Sequence, residues 1–261
     1  MAERRAVNGT PGEQAGAAAH HGLRPAYYAA RPGRLQDWWT LLHPPYTLWH
    51  LSYVVIGACL APVVSVSRLV ATVLAFFFAV GVAAHALDEL HGRPLHTRIS
   101  SRALVGVSVV GVAAAVALGA LGVERVGLSL VPFIVIGPVL VVAYNAELFG
   151  GVVHTDAGFA LAWGAFPVLT AYVAQTERLA LAPALAAVAA FGLSAAQRAL
   201  STPARFVRRR VGAVEGSMRL LDGTTRQIGA DTLVQPLERA LRILSWTVVL
   251  LATSIAVARL T

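Results

Sequence analysis

The sequence predicts an all-α, polytopic helical membrane bundle of about seven transmembrane helices. Of its 261 residues, 57% are hydrophobic and 13% are charged, and the mean hydropathy is +0.66. These values exclude a soluble globular domain, a disordered chain and a disulfide-rich scaffold. Seven mostly apolar stretches are each long enough to cross a hydrocarbon core of about 30 Å as a helix. They are residues 47–66, 69–87, 103–122, 127–146, 157–175, 179–197 and 243–260.

The arginines predict how the chain crosses the membrane. All 21 basic residues are arginines, and they concentrate before the first span, between the second and third, and between the sixth and seventh. On the other side, the connections carry one arginine each, namely Arg68, Arg125 and Arg178. Because arginine-rich loops stay in the cytoplasm, the amino terminus and the long loops are predicted to be cytoplasmic. The net charge of +8 is therefore a topology signal and predicts no nucleic-acid partner.

The chain divides into a tail and one membrane domain. Residues 1–34 are rich in Ala, Gly, Arg and Pro and lack the apolar run of a signal peptide, so they are predicted to be a disordered cytoplasmic tail. Residues 35–261 form a single transmembrane domain with an Arg-rich cytoplasmic segment at about 198–242. Arginine without lysine is typical of a high-GC genome, and the expected location is a bacterial plasma membrane.

A first polar run lies at the cytoplasmic end of the second span. Ionisable groups near hydrocarbon are costly and mark candidate functional sites. His85, Asp88 and Glu89 have the i, i+3, i+4 spacing that places side chains on one face of a helix. Two carboxylates and an imidazole on one face can hold a divalent cation. The alternative is a helix end with solvated charges, with His85 hydrogen-bonded inside the bundle.

A second polar run follows the fourth span. It contains Tyr144, Asn145, Glu147, His154 and Asp156, in a cytoplasmic loop that lacks arginine. We expect it to face the first run across the cytoplasmic end of the bundle. The alternative is a helix cap in which Thr155 or Asp156 opens the fifth span. His50, inside the first span, is expected to be an interhelical hydrogen-bond partner rather than a ligand.

In chain order, these segments resemble the UbiA superfamily of intramembrane prenyltransferases. Residues 41–48 are similar to the family's entry into its first span, and residues 85–95 lie where the family has its first aspartate-rich motif. Tyr144 and residues 154–167 resemble the family's tyrosine-containing loop and the span after it. The family's second aspartate-rich motif should follow the sixth span, where residues 194–205 contain no acid.

The resemblance implies a bundle in which Mg²⁺ and basic residues hold an isoprenoid diphosphate while an acceptor attacks its first carbon. The catalytic residues that it implies are His85, Asp88, Glu89 and Tyr144. The implied metal ligands are His85, Asp88, Glu89, His91, Glu147, His154 and Asp156. The implied diphosphate-binding residues are Arg93, Arg98, Arg102, Asn145, Arg198 and Arg205.

Three functions remain open at the level of sequence. The first is a UbiA-like prenyltransferase that acts on an isoprenoid or lipid diphosphate with Mg²⁺. The second is a His and carboxylate site that uses Zn²⁺ or Fe for other lipid chemistry in a repurposed cavity, because imidazoles stand where the family has aspartates. The third is a non-catalytic membrane scaffold whose Arg-rich segment contacts headgroups or a partner.

Reporter fusions test the predicted threading. A fluorescent reporter inserted after Thr97 is expected to fold in the cytoplasm, and alkaline phosphatase fused after Thr261 is expected to be active outside, because arginine-rich loops are retained inside. The same two reporters exchanged between the two positions provide the control. Phosphatase activity from the insertion at Thr97 would refute the topology.

Overall fold

The computed structural model describes residues 24–261, so most of the predicted tail, residues 1–23, lies outside the described residues. Two strands, β1 (Gly216–Arg219) and β2 (Thr225–Ile228), form an antiparallel hairpin. The remaining regular structure is helical. The helices are α1 (Arg34–Leu41), α2 (Pro44–Cys59), α3 (Val66–Leu90), α4 (Ser101–Val126), α5 (Leu128–Asn145), α6 (Asp156–Thr176), α7 (Leu181–Arg210) and α8 (Ala230–Leu260).

The all-α membrane bundle predicted from the sequence is confirmed. In the described part of the chain, six helices, α3 to α8, are long and apolar enough to cross a membrane, judged by length and composition. The first predicted span, residues 47–66, is shorter than expected, because α2 has 16 residues and is about 24 Å long. The prediction extended this span to residue 66, but Pro62 cannot continue a helix and Ser65 already caps α3.

Helices α2 and α6 form the centre of the bundle. Helix α2 packs against α6 and α8, and α7 packs against α6 and α8. Trp49 and Tyr53 of α2 are buried against Val168, Ala190 and Val248 of the three neighbouring helices. The outward faces of α4, α5 and α7 carry exposed valine and leucine side chains, as expected for helices that lipid surrounds.

Two glycines allow the central helices to approach each other closely. A Cβ at Gly57 of α2 would collide with the backbone carbonyl of Val168 in α6. A Cβ at Gly164 of α6 would lie 2.6 Å from the carbonyl oxygen of Ala190 in α7. Small residues at such crossings are how membrane helices gain packing contacts. These two positions therefore fix the spacing of α2, α6 and α7.

The Arg-rich segment that follows the sixth span is more ordered than its sequence indicates. Helix α7 continues to Arg210, the hairpin follows, and α8 begins at Ala230. Arg208 of α7 and Glu238 of α8 form a buried bidentate ion pair, in which Nη2 donates to Oε2 over 2.8 Å. This pair joins the end of α7 to the first turns of α8, and these are the two longest helices.

The predicted tail boundary at residue 34 requires correction. Residues 24–33 have a defined structure, with Ala26 and Ala29 buried. Arg208 donates a hydrogen bond to the carbonyl of Arg24 and Arg209 donates one to the carbonyl of Pro25, each over 3.2 Å. Composition could not show this, because the contacts are made with backbone carbonyls by residues almost 200 positions away.

Replacing Gly57 tests the close packing of α2 against α6. Gly57→Ala is expected to lower the free energy of unfolding by about 1–3 kcal/mol, because the added methyl group overpacks a backbone contact. The matched control is Gly106→Ala in α4, where a Cβ meets nothing within 4 Å. The control should be neutral or stabilise by up to about 1 kcal/mol. Thermal unfolding in detergent measures both, and equal effects would contradict the packing.

Candidate functional site

The first polar run begins directly after an irregular part of α3. Residues Phe77–Ala84 form a π-helical segment, a feature that occurs frequently at functional sites. His85 follows it and donates a hydrogen bond from Nδ1 to the carbonyl of Gly81 over 3.1 Å. The ring of His85 stacks obliquely on the ring of His43, with 4.1 Å between their centroids. The end of α3 therefore meets the connection between α1 and α2.

His43 has a backbone conformation that is unusual for its residue type. Its φ is 46° and its ψ is 55°, in the left-handed region, immediately before Pro44. Such strained residues cluster at binding and catalytic sites. The side chain of His43 is 8% exposed, and its Nε2 atom has no hydrogen-bond partner among the described residues. Sequence reasoning missed His43 as a site residue.

Tyr28 from the amino-terminal segment completes this aromatic group. Its ring lies 5.1 Å from the ring of His43 and 5.4 Å from the ring of Tyr46. Burial raises the pKa of Tyr28, although the nearby charges of Arg209 and Arg205 oppose that shift. Burial holds the pKa of His43 well below its usual range, and His85, Arg209 and Arg205 lower it further. Both side chains are therefore neutral at pH 7.

Glu89 supports a loop, so its carboxylate is not available for the catalytic and metal-binding roles that the sequence predicted. It is fully buried, and its carboxylate accepts hydrogen bonds from the backbone N–H of Leu95 at 3.0 Å and of Thr97 at 2.9 Å. The Thr97 hydroxyl donates a third bond over 2.8 Å. Glu89 therefore holds residues 91–99 against the end of α3. This arrangement does not support its predicted catalytic and metal-binding roles.

The predicted phosphate-binding arginines of the same loop also have structural partners. Arg93 donates to the carbonyl of Ile99 and to the hydroxyl of Ser101, each over 2.6 Å. Arg98 pairs with Asp37 of α1 over 3.4 Å. Arg102 lies exposed at the start of α4. Diphosphate binding by these three residues remains a prediction from sequence that no contact in the structure supports.

The second polar run meets the first run near Glu147. His154 stacks on Tyr144 with 4.4 Å between ring centroids, and its Nδ1 donates to the Tyr144 carbonyl over 2.9 Å. Oε1 of Glu147 lies 4.0 Å from Nε2 of His154 and 3.7 Å from Nε2 of His91. The side chain of Asn145 donates back to Val141 within its own helix over 2.7 Å.

The start of α6 contains both a helix cap and a salt bridge. The hydroxyl of Thr155 accepts a hydrogen bond from the backbone N–H of Gly158 over 2.9 Å and so caps the helix. Asp156 accepts a hydrogen bond from Nε of Arg198 over 2.8 Å. The guanidinium of Arg198 also lies over the ring of Phe159, 5.2 Å from its centroid. Asp156 is thus neutralised by Arg198.

His50 is confirmed as an interhelical hydrogen-bond partner. Its Nδ1 donates to the carbonyl of Trp163 over 2.9 Å, and this joins α2 to α6. Trp163 lies in a second π-helical segment, Leu161–Ala165.

Charged and polar side chains from five parts of the chain converge at one end of the bundle. The charges of Arg198, Arg205, Asp88 and Asp156 act on the Tyr144 hydroxyl. The charges of Arg205, Arg209 and Asp88 act on Tyr28. We call the group formed by Tyr28, His43, His85, Asp88, Tyr144, Arg198, Arg205 and Arg209 the polar mouth.

The polar mouth contains buried atoms without hydrogen-bond partners. Among the described residues, the Tyr144 hydroxyl and Nε2 of His43 are such atoms, and Oε1 of Gln197, next to Arg198 in α7, is another. Tyr144 is 5% exposed and Gln197 is 2% exposed. Leaving a buried polar atom unpaired costs free energy, so each such atom in a folded protein indicates a water molecule or ligand.

An apolar cavity of about 300 Å³ lies beneath the polar mouth, between α3, α4, α5 and α6. Val80, Val141 and Trp163 form the end nearest the mouth. The ring of Trp163 lies 5.6 Å from that of Tyr144, so these two side chains form the wall between cavity and mouth. Arg68 and Arg125 lie at the opposite end of the cavity.

The predicted metal ligands do not form a metal site of their own. Within residues 24–261, no group of three or more His, Cys, Asp or Glu side chains is placed to hold one ion. His91, Glu147 and His154 come close together on a partly exposed surface, but their separations of 3.7 and 4.0 Å are longer than those of hydrogen bonds. Glu89 and Asp156 already have other partners.

Comparison with known proteins identifies the class of fold. A solved structure described as a UbiA homolog from Archaeoglobus fulgidus bound to Cd²⁺ matches with a TM-score of 0.51 and 16% sequence identity. The match covers 86% of this chain and 85% of that chain. No protein-family model matches the sequence, and the curated proteins contain no match. The protein is therefore an integral membrane helical bundle with a UbiA-like fold.

Replacing Glu89 and Asp88 one at a time distinguishes an acid that stabilises the fold from an acid that is available to a ligand. Glu89→Ala is expected to lower the free energy of unfolding by roughly 3 kcal/mol, because it leaves the buried donors of Leu95 and Thr97 unpaired. Asp88→Ala, the matched variant one position earlier, should cost less than about 1 kcal/mol. Thermal unfolding and limited proteolysis of the loop measure both. Equal stability of the two variants would contradict the assignment of Glu89.

Proposed function

We propose that the protein is a UbiA-like prenyltransferase that acts on an isoprenoid or related lipid diphosphate. The observation that carries this proposal is the position of the polar mouth directly above the apolar cavity. An isoprenoid diphosphate has the same two parts, a charged headgroup and a branched hydrocarbon chain. The proposal places the headgroup in the mouth and the chain in the cavity, with the mouth on the cytoplasmic side of a bacterial plasma membrane.

The apolar cavity suits a hydrocarbon chain. Alanine, valine, leucine and phenylalanine dominate its lining, and its volume of about 300 Å³ is at the lower end of the range for ligand pockets. It lies among helices whose outer faces are surrounded by lipid, so a membrane-dissolved chain can enter without crossing water. The first carbon of the chain would then lie near Tyr144 and Trp163, which separate the cavity from the mouth.

The side chains of the mouth can supply the chemistry of prenyl transfer. A bond forms between the acceptor and the first carbon of the chain, and the bond from that carbon to the diphosphate oxygen breaks. The negative charge that develops on the departing diphosphate is stabilised by the guanidinium groups of Arg205 and Arg209 and by the Tyr144 hydroxyl. The proton released by the acceptor passes to an oxygen of the departing diphosphate.

The divalent metal that the family resemblance implies does not fit the donor set. Mg²⁺ binds through carboxylates, with Zn²⁺ and Fe as the alternatives that accept imidazole. Glu89 is committed to its loop and Asp156 to Arg198, which leaves Asp88 as the carboxylate of the polar mouth. One carboxylate is not a metal site by itself, and we assign no step of the reaction to a metal ion.

One observation favours the alternative, a His and carboxylate metal enzyme. His91, Glu147 and His154 supply the ligand types of zinc and iron sites, and both imidazoles approach the same oxygen. If this alternative holds, the purified protein contains zinc or iron that is lost in the His154→Ala variant. The remaining possibility, a lipid-binding scaffold, corresponds to binding of an isoprenoid diphosphate without transfer to any acceptor.

Filling the apolar cavity tests the proposed function. Ala115→Phe places a ring in the lining of the cavity and is expected to weaken binding of farnesyl diphosphate about tenfold, because the hydrocarbon chain is displaced from its apolar site. Binding of inorganic pyrophosphate should stay unchanged. Calorimetry in nanodiscs measures both ligands, and transfer of labelled farnesyl to a membrane lipid extract measures the reaction.

The matched control for this experiment is Ala113→Phe. Ala113 lies two residues away on the exposed face of α4 and does not line the cavity. The control should bind both ligands like the parent protein. If Ala113→Phe and Ala115→Phe have the same effect, or if Ala115→Phe weakens pyrophosphate equally, the hydrocarbon chain does not occupy this cavity.

A further inference from the structure

We infer that the polar mouth binds a diphosphate group directly through arginine side chains, without a bridging metal ion. This inference deepens the proposed function and rests on it for the identity of the ligand's hydrocarbon part. It follows from the partners of the charged residues of the mouth. The ligand class is a diphosphate, either inorganic pyrophosphate or the headgroup of a lipid.

The carboxylates near the mouth are the groups that could bind a metal ion. A metal-bridged diphosphate needs carboxylates that are available to the metal. Glu89 accepts three hydrogen bonds from the loop that it supports, and Asp156 forms its ion pair with Arg198. Asp88 has no salt-bridge partner within 4.0 Å in the described part of the chain. Asp88 is thus the carboxylate of the polar mouth itself and lies among its arginines, while Glu147 lies outside the mouth beside His91 and His154.

The arginines of α7 differ in whether a carboxylate already pairs with them. Arg208 is saturated by Glu238, and Arg198 is paired with Asp156. Arg205 has no carboxylate within 4.0 Å in the described residues, and its one side-chain hydrogen bond, to Thr202, is 3.5 Å long. Arg209 uses Nε to hold the carbonyl of Pro25. Because a guanidinium has five N–H donors, Arg205 and Arg209 retain donors for an anion.

Two neutral polar atoms are buried at the same place. Among residues 24–261, the Tyr144 hydroxyl and Nε2 of His43 have no hydrogen-bond partner, and the charge of Arg205 acts on both residues. Tyr144 is 5% exposed and His43 is 8% exposed, so bulk water does not supply the missing hydrogen bonds of either side chain. A hydroxyl can donate to a phosphate oxygen, and so can a neutral imidazole in the tautomer that is protonated at Nε2. These atoms therefore complete an anion site.

Arginine side chains take the place of a metal ion in the polar mouth. Arginine binds phosphate oxygens in a bidentate manner and keeps its charge at all accessible pH values. The segment after the sixth span carries Gln197, Arg198 and Arg205, where the UbiA resemblance leads us to expect acids. At this position the chain itself thus supplies the positive charge that a bound metal ion would supply in a metal-dependent relative. A site of this composition binds the anion directly.

Pyrophosphate binding to the full chain in nanodiscs tests the inference. Calorimetry is carried out with inorganic pyrophosphate in EDTA and again in magnesium chloride. We expect the two dissociation constants to agree within about threefold, because the guanidinium groups supply the charge. Arg205→Gln should weaken binding about tenfold or more in both buffers. Arg210→Gln is the matched control on an exposed position of the same helix and should stay within about twofold.

Asp88→Asn distinguishes the two modes of binding by the sign of its effect. Without a metal, the Asp88 carboxylate repels the anion, so its neutralisation should tighten pyrophosphate binding by roughly threefold. With a bridging metal, the same change removes a ligand and weakens binding. Tight binding that requires magnesium and is lost in Asp88→Asn would overturn the inference. It would leave the proposed prenyltransferase function intact.

Other outcomes separate the inference from the proposed function. If pyrophosphate binds in EDTA and farnesyl diphosphate binds no more tightly, the arginine site stands and the proposed function fails. If the folded protein binds pyrophosphate in neither buffer, the inference is wrong. Should Arg205→Gln not fold, Arg205→Lys and Tyr144→Phe take its place. Each should weaken binding in EDTA, because Lys loses the planar fork and Phe loses the hydroxyl donor.

Discussion

Charged groups at the edge of a hydrocarbon core must be paired, and this constraint determines what the end of the bundle that carries the polar mouth can do. The acids are used to hold structure together: Glu89 supports a loop, Asp156 anchors Arg198, and Glu238 joins α8 to Arg208. Each carboxylate with a structural partner is unavailable to a metal ion. The arginines outnumber these acids, so the charge that remains at the mouth is positive.

The helices were predictable because hydrophobic length is a local property of the sequence. The predictions from sequence fail where tertiary contacts determine the local structure. Helix α7 continues past the apolar stretch to Arg210, since its last turn is held by Glu238 and by the carbonyls of residues 24 and 25. The two strands of the hairpin are four residues long and exposed, so their sequence does not predict them. Only the turn is indicated locally, because Asp222 accepts a hydrogen bond from Thr224 and Gly223 has a positive φ.

The candidate site was predictable only in part, for the same reason. The spacing of His85 and Asp88 predicts a polar helix face, but the periodicity that includes Glu89 gives no information about the N–H groups of Leu95 and Thr97. His43 and Tyr28 were missed. The available signals were a histidine directly before two prolines and an aromatic pair, Tyr27 and Tyr28, in an otherwise low-complexity tail.

The amino-terminal segment gives the proposed arginine site its strength. A guanidinium carries one diffuse charge, so it stabilises a departing diphosphate less than a divalent ion does unless water is excluded. Residues 24–33 lie against the mouth, with Tyr28 packed on His43 and the carbonyls of Arg24 and Pro25 bound to arginines of α7. Excluding water in this way strengthens every charge interaction beneath the segment. The ordered segment and the arginine-based site are therefore parts of one electrostatic arrangement.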